Sequence, residues 1–327
     1  MLQRLREPWP DKRAELVLGA LACLVLLIVV LMVVFVAQRA WPAFQHNGLS
    51  FFSAKGTVDA QIGRMVNTGA RPAPADYAIG AWPFIYATVL TTGLALVFGS
   101  VFALLSAIFI VEFAPPQLRR VVIPVVRLLA AVPSVIYGLI GILALAPWVN
   151  DHLISDARRE SVQYVISLSG PSLLVAVVIL TVMIVPIMIA INVDALYAVP
   201  RGWKEGAVAL GVNRWRAMWS VSVRAARPAI IAGGVLAAAR ALGEAIMLSM
   251  VSGSNGFAPN PLDGLTFWFE PLRTLASSIV ENAESLNAPA IQSTVYAFAL
   301  LLLVSSLMCS LAGYLAKQPM KKYGIQV

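Results

Sequence analysis

Long apolar stretches, separated by short polar and basic segments, set the pattern of this chain. Five of them, 16–36, 84–111, 128–149, 173–193 and 288–316, contain no charged side chain. A sixth, 228–251, is equally apolar except for Arg240 and Glu244. About 20 apolar residues carry an α-helix across a hydrocarbon layer ~30 Å thick, so each stretch predicts a transmembrane helix. The first stretch is too long for the core of a signal peptide and lacks a clean small-residue cleavage site, so it counts as a helix. The expected fold class is an all-α integral membrane protein with six transmembrane helices. They form one membrane domain over 16–316, between terminal segments 1–15 and 317–327. Of the connections, 38–83 is rich in Gly, Pro and Ala and predicts an irregular loop, whereas 252–287 predicts a loop that turns partly helical over 272–287.

Composition agrees with this pattern. Of 327 residues, 59% are hydrophobic and 12% charged, about half the roughly 25% charge of a soluble domain. Membrane lipid must therefore be the solvent for most of the surface. The net charge of +8 raises the question of nucleic acid, and its distribution answers it. With the N-terminus in the cytoplasm, the inner segments hold fifteen cations: Arg4, Arg6, Lys12, Arg13, Arg119, Arg120, Arg201, Lys204, Arg214, Arg216, Arg224, Arg227, Lys317, Lys321 and Lys322. The outer segments hold seven: Arg39, Lys55, Arg64, Arg71, Arg158, Arg159 and Arg273. That bias is the positive-inside rule at work. It places both termini and the loop 194–227 in the cytoplasm, and it accounts for the basic balance without nucleic acid. Cys23 and Cys309 sit inside apolar stretches, and His46 and His152 lie in polar connections without a second ligand at metal spacing. Neither a disulfide framework nor a metal site is expected.

The loop 194–227 is the most informative connection. Trp203, Ala207 and Leu210 recur at helical spacing and predict a short helix with one apolar side. Gly211 stands where a helix ends in the left-handed conformation, and Asn213 can cap a second short helix running through Met218 and Trp219. An exposed helical hairpin with large aromatics beside arginines fits a docking surface for a partner protein. It fits equally a basic loop held at the lipid headgroups with Trp as an anchor. Spacing does not separate the two.

In the sixth stretch, Arg240 lies ~18 Å along the helix from Pro228 at 1.5 Å per residue, close to the midplane. An ionised side chain at that depth costs a few kcal/mol, which makes it a functional candidate, and its planar fork of donors suits phosphate oxygens. Glu244, one turn on, is expected on the same face and partly neutralising it. A structural ion pair locking helix packing is the competing account. Gly233, Ala237 and Ala241, four residues apart, predict close approach to another helix. Pro124, Pro133, Pro147 and Pro186 mark possible kinks.

Several motifs resemble those of a known family. Glu205-Gly-Ala-Val-Ala-Leu-Gly211, followed by Val221-Ser-Val223, resembles the EAA loop of ABC importer permeases, with Gly206 in place of the central Ala and Arg224 where Pro is usual. Ala131-Val-Pro-Ser-Val-Ile-Tyr-Gly138 and Arg240-Ala-Leu-Gly-Glu244 are similar to signatures of the phosphate-specific (Pst) permeases, and the layout is closest to the PstC-type subunit. The resemblance covers roughly residues 75–317 and implies the type I ABC importer permease fold. It further implies that Trp203, Glu205, Gly206, Ala207, Leu210 and Gly211 couple to an ATPase, and that Arg240, Glu244, Ser134 and Tyr137 serve the substrate path or its gate. The implied partners are a second, homologous PstA-type permease, a PstB-type ATPase dimer and an extracytoplasmic phosphate-binding protein. No cofactor is expected in this chain. It has no Gly-x-x-x-x-Gly-Lys-Ser/Thr loop, so ATP and Mg would be held by the ATPase.

Three rival readings compete with this one. A permease for sulfate or molybdate is disfavoured by the Arg-Ala-Leu-Gly-Glu motif. A membrane-embedded lipid enzyme needs intramembrane acid clusters, absent from five of the six stretches. An ion-driven carrier usually shows inverted repeats, which the sequence lacks, and it leaves the EAA-like loop unexplained.

Overall fold

The computed structural model describes residues 9–54, 57–68 and 72–321, with side chains described between 14 and 316. Among the described residues six helical stretches are long and apolar enough to cross a membrane: Ala14–Phe52, Pro74–Phe113, Ser134–His152, Leu173–Tyr197, Arg214–Leu242 and Pro289–Ala316. In chain order the helices are α1 (Trp9–Asn47), α2 (Val58–Val66), α3 (Trp82–Ile108), α4 (Pro116–Ala130), α5 (Ser134–Ile140), α6 (Ala146–His152) and α7 (Asp156–Val162). They are followed by α8 (Leu173–Tyr197), α9 (Arg201–Ala209), α10 (Arg214–Ala217), α11 (Arg224–Leu242), α12 (Ile246–Val251), α13 (Leu275–Glu281) and α14 (Pro289–Lys321). Single π-helical turns extend α3 through Phe109–Phe113, join α5 to α6 through Gly141–Leu145, and join α10 to α11 through Met218–Val223. The all-α class with six spanning helices is thus observed.

The core forms around α8. This helix is apolar on every side, as a helix enclosed by others must be, and α3, α4 and α11 pack on it. Small residues permit the close approach. Ala95, Gly99, Ala103 and Ala107 recur every four residues along the buried face of α3, and a Cβ on Gly99 would stand 3.3 Å from Ile184. Gly233 does the same for α11, where a Cβ would come within 2.9 Å of Ile191. The stripe Gly233, Ala237 and Ala241 is buried as expected. α1 is the opposite case: it packs on α14, and its apolar residues from Leu16 to Phe35 face outward, where only lipid satisfies them.

Four expectations need correction. The stretch 128–149 is not one helix: α4 ends at Ala130 and α5 begins at Ser134. Pro133 has no N–H to donate and disfavours helical geometry at Val132, so the helix stops there. The stretch 228–251 is likewise broken, between Leu242 and Ile246, and it begins much earlier, in a continuous helix from Arg214 that absorbs Pro228. Proline at that point removes one donor, which the turn before it would have used. Thirdly, segment 38–83 is more ordered than an irregular loop: α1 runs on to Asn47, and α2 buries Val58, Ile62 and Met65. Fourthly, the charge pairing expected of Arg240 and Glu244 does not form, for reasons given below. Of the cations used to orient the chain, Arg4, Arg6, Lys55, Arg71 and Lys322 lie outside the described residues.

Candidate functional site

The two breaks lie side by side. α5 packs against α12, and the contact is tight because of glycine: a Cβ on Gly138 would meet Met250 Sδ at 2.8 Å, and one on Gly141 would meet Val251 at 2.5 Å. Both breaks also lie at the same depth. Ala146 abuts Gly170, in the loop just before α8, and Ser134 is twelve residues further down, ~18 Å at 1.5 Å per residue. Gly233 of α11 stands against Ile191 of α8, and Arg240, seven helical residues further on, lies ~10 Å beyond it, level with the middle of α8. The two signature segments therefore meet near the middle of a ~30 Å layer. Backbone without helical hydrogen bonds is tolerated at that depth where protein covers it or where it lines a water-filled space.

Each break is held by a side chain of its own motif. The Tyr137 hydroxyl donates to the Leu129 carbonyl at 3.0 Å, alongside the Val132 N–H at 3.2 Å, replacing the helical donor that Pro133 lacks. Tyr137 is buried, and Ser134, at the first position of α5, is half-buried. Across the second break, Glu244 Oε1 accepts from the Met247 N–H at 3.1 Å. This caps α12, and a carboxylate at a helix start also suits the helix dipole. Glu244 is 8% exposed. Arg240 closes the other side of the break, in the last turn of α11, where a cation suits the dipole of the preceding helix. Because the helix ends at Gly243, Glu244 turns inward and Arg240 turns out to the surface of the subunit. Among the described residues Arg240 forms no ion pair; the pairs are Arg127–Asp194, Lys204–Glu112, Arg273–Asp59 and Arg273–Glu281. Arg240 does lie within electrostatic reach of the Tyr137 phenol. The structure thus brings Arg240, Glu244, Ser134 and Tyr137 to one place, with Arg240 the exposed cation there.

The loop after α8 forms the expected hairpin of α9 and α10. Gly211 turns it with φ +84°, a conformation that residues with a Cβ adopt at a cost of ~1 kcal/mol. Asn213 Oδ1 accepts from the Arg216 N–H at 2.7 Å and caps α10. Trp203 (54% exposed), Leu210 (87%) and Trp215 (51%) stand out from the protein. Glu205 and Gly206 are exposed as well, and Ala207 is half-buried. α9 buries no residue at all. Contacts that sequence reasoning missed fasten the hairpin. Lys204 Nζ donates to both carboxylate oxygens of Glu112, and Trp215 packs on Phe113 with ring centroids 6.3 Å apart. Glu112 is the first charge after the stretch 84–111, a position visible in the sequence, but nothing local names its partner 92 residues away.

On the opposite side, Arg273 is the centre of a polar network. Its Nη1 meets Asp59 Oδ1 at 3.0 Å, its Nε meets Glu281 Oε2 at 2.7 Å, and its other terminal nitrogen donates to the Ser254 carbonyl. Ser254 Oγ donates to Glu281 Oε1 at 2.7 Å, and the Gly256 N–H to Asp59 Oδ2 at 3.0 Å. Burial pushes the Glu281 carboxyl above its ordinary value, while the Arg273 charge and the Ser254 hydroxyl pull it back down.

Residues 96–320 match the family described as "Binding-protein-dependent transport system inner membrane component". The chain is 30% identical over 297 residues to the probable ABC transporter permease protein YqgH of Bacillus subtilis, covering 90% of this chain and 87% of that one. It is 30% identical over 287 residues to the phosphate transport system permease protein PstC 1 of Mycobacterium tuberculosis, covering 84% and 83%. It is also 30% identical over 295 residues to the probable phosphate transport system permease protein PstC of Methanocaldococcus jannaschii, covering 88% of each. Among solved structures, a bacterial ABC transporter involved in the import of the acidic polysaccharide alginate aligns over 94% of this chain with 15% identity and a TM-score of 0.48.

Proposed function

The chain belongs to the binding-protein-dependent transport system inner membrane components, and from that premise we propose that it is a permease subunit of an ATP-driven importer of inorganic phosphate. The observation that carries the reading is Arg240. It is a cation without an ion-pair partner among the described residues, at mid-membrane depth, on the open face of a subunit and beside two helix breaks. A second, homologous permease of the PstA type would cover that face and complete the path. Phosphate, doubly or singly charged, would replace part of its lost hydration with the planar donors of Arg240. Two of the relatives described above are named as phosphate permeases, which supports the same substrate.

In this reading Glu244 and Tyr137 hold the breaks open as a pair of caps, and Ser134 borders the path. A PstB-type ATPase dimer, binding ATP and Mg, grips the hairpin through Trp203, Glu205, Gly206, Ala207, Leu210 and Gly211. An extracytoplasmic binding protein delivers phosphate, and alternating access carries it across the cytoplasmic membrane. The hairpin side is then cytoplasmic, as are both termini. Cysteines replacing Leu210 and Leu262, both highly exposed, should react with a membrane-impermeant reagent from opposite sides, and labelling of both from outside would overturn the orientation. The substrate is tested by uptake of labelled phosphate into vesicles holding the complete complex and ATP. A hundredfold excess of unlabelled phosphate should abolish the signal while sulfate and molybdate leave it intact. Equal competition by sulfate or molybdate would point to a different oxyanion.

A further inference from the structure

The hairpin is joined by the chain itself to α8 at one end and α11 at the other, but it touches α3 only through side chains. Both of its helices reach the same short turn there. α9 does so through Lys204 and Glu112, α10 through Trp215 and Phe113. Glu112 and Phe113 are neighbours in the π-helical turn Phe109–Phe113, closed by the Ala114 N–H donating to the Phe109 carbonyl at 2.9 Å. Arg119 Nε bonds the Ala114 carbonyl at 2.7 Å and ties the start of α4 to this turn as well. Beneath the hairpin lies an open cavity of about 710 Å³, bordered by Val111, Leu196 and Val199 and by the charged Glu112, Arg119 and Lys204. α9 is therefore not packed down on the bundle, whereas α10 leads through the buried Ala217 and Met218 into it. α9 is held off by a gap that the Lys204–Glu112 pair crosses, and the pair is mostly withdrawn from solvent on its Glu112 side.

We infer that the turn Phe109–Phe113 receives the movement of the hairpin and passes it to α3, with Glu112 and Phe113 as positioning residues. The inference rests on the coupling reading of the hairpin given above. Its physical basis is the scarcity of other contacts: α9 buries nothing, so a force applied to α9 reaches α3 directly through the ion pair and, by way of α10, through Trp215 on Phe113. A π turn, with one residue more than an α turn, is a place where a helix end shifts register at low cost. From there the small-residue seam between α3 and α8 carries the displacement into the core as a packed pair.

The test uses the complete complex in proteoliposomes and reads labelled phosphate taken up per ATP hydrolysed. Glu112→Gln and Lys204→Gln should each lower that ratio about tenfold, the loss of one hydrogen-bonded charge contact, with the ATPase still co-purifying. The exchanged pair, Glu112→Lys with Lys204→Glu, should restore at least half of the wild-type ratio. Phe113→Ala should lower it by about threefold, an aromatic pair's share. A ratio that stays at the wild-type value in both single variants, with uptake and hydrolysis falling only as the amount of complex falls, overturns the inference. Should the single variants fail to assemble, the exchanged pair decides: a ratio near wild type supports the strut, and a lost ratio overturns it. Glu205→Lys, run in parallel, tests the docking reading separately. Loss of co-purifying ATPase supports it and unchanged co-purification overturns it, whatever Glu112 does.

Discussion

Arg273, with two ion pairs, and Lys204, with one, stand partly buried on either side of the membrane domain in the proposed orientation, and their surroundings could hardly differ more. On the external side Arg273 joins α2, the segment after α12, and α13 in a network that also satisfies Ser254 and the Gly256 N–H. Further backbone contacts tie that side together: Leu272 N–H to the Ser252 carbonyl, Leu173 N–H to the Glu270 carbonyl, and Leu275 N–H to Thr88 Oγ1. On the cytoplasmic side Lys204 has Glu112, while the helix that carries it buries no residue and presents Trp203 and Leu210 to the outside. The external network is closed within the subunit. In the proposed reading the hairpin is completed by the ATPase, and the sparse contacts of α9 to the bundle would let that partner move it without first breaking a core.

That contrast can be broken by mutation on either side. Arg273→Ala should have the largest effect on stability, about 2–3 kcal/mol, because it leaves Glu281 mostly buried without its cation. Thermal unfolding of the purified complex in detergent would measure it, and a change below about 0.5 kcal/mol would show that the network does not pin the external segments. Gly211→Glu should act the other way round. The φ of +84° and the new side chain disturb the exposed turn, so ATP-driven uptake should fall about tenfold while the unfolding temperature stays within a degree or two. Unfolding of the bundle by this one change would contradict the picture of a hairpin held apart from the core. Asp59→Asn should be the mildest. Its side chain is 48% exposed, solvent screens the pair, and the loss should stay under about 1 kcal/mol; a larger loss would mean that the network depends on α2 more than on α13.

The sequence was a good guide wherever the physics is local. Apolar runs long enough to span a bilayer marked the six spans found among the described residues, because lipid leaves few alternatives to helix, although two of the runs proved to be broken. Gly211 and Asn213 announced the hairpin turn and cap through conformational preferences that belong to single residues. Hydropathy runs unchanged through the breaks at 131–133 and 243–245; Pro133 marks a possible kink without saying that the helix stops, and Gly243 is common inside membrane helices. The pairing of Arg240 with Glu244 failed for the same reason, since helical spacing loses its meaning across a break that points the two side chains apart. The Glu112–Lys204 strut lies beyond any local pattern. Its partners meet only after α3 and α8 have packed along a stripe of small residues.

The substrate assignment stands or falls on Arg240, and uptake by its neutral isostere tests it most directly. Because Arg240 is exposed and makes no ion pair among the described residues, Arg240→Gln should leave expression, assembly and unfolding temperature unchanged. Labelled phosphate uptake by the reconstituted complex should fall tenfold to about a hundredfold, the value of one charged contact to the anion. Glu244→Gln keeps the carbonyl oxygen that caps Met247 and should retain most of the activity as an internal control. Phosphate uptake by Arg240→Gln within about twofold of wild type, at matched protein and with ATP hydrolysis intact, would contradict the account.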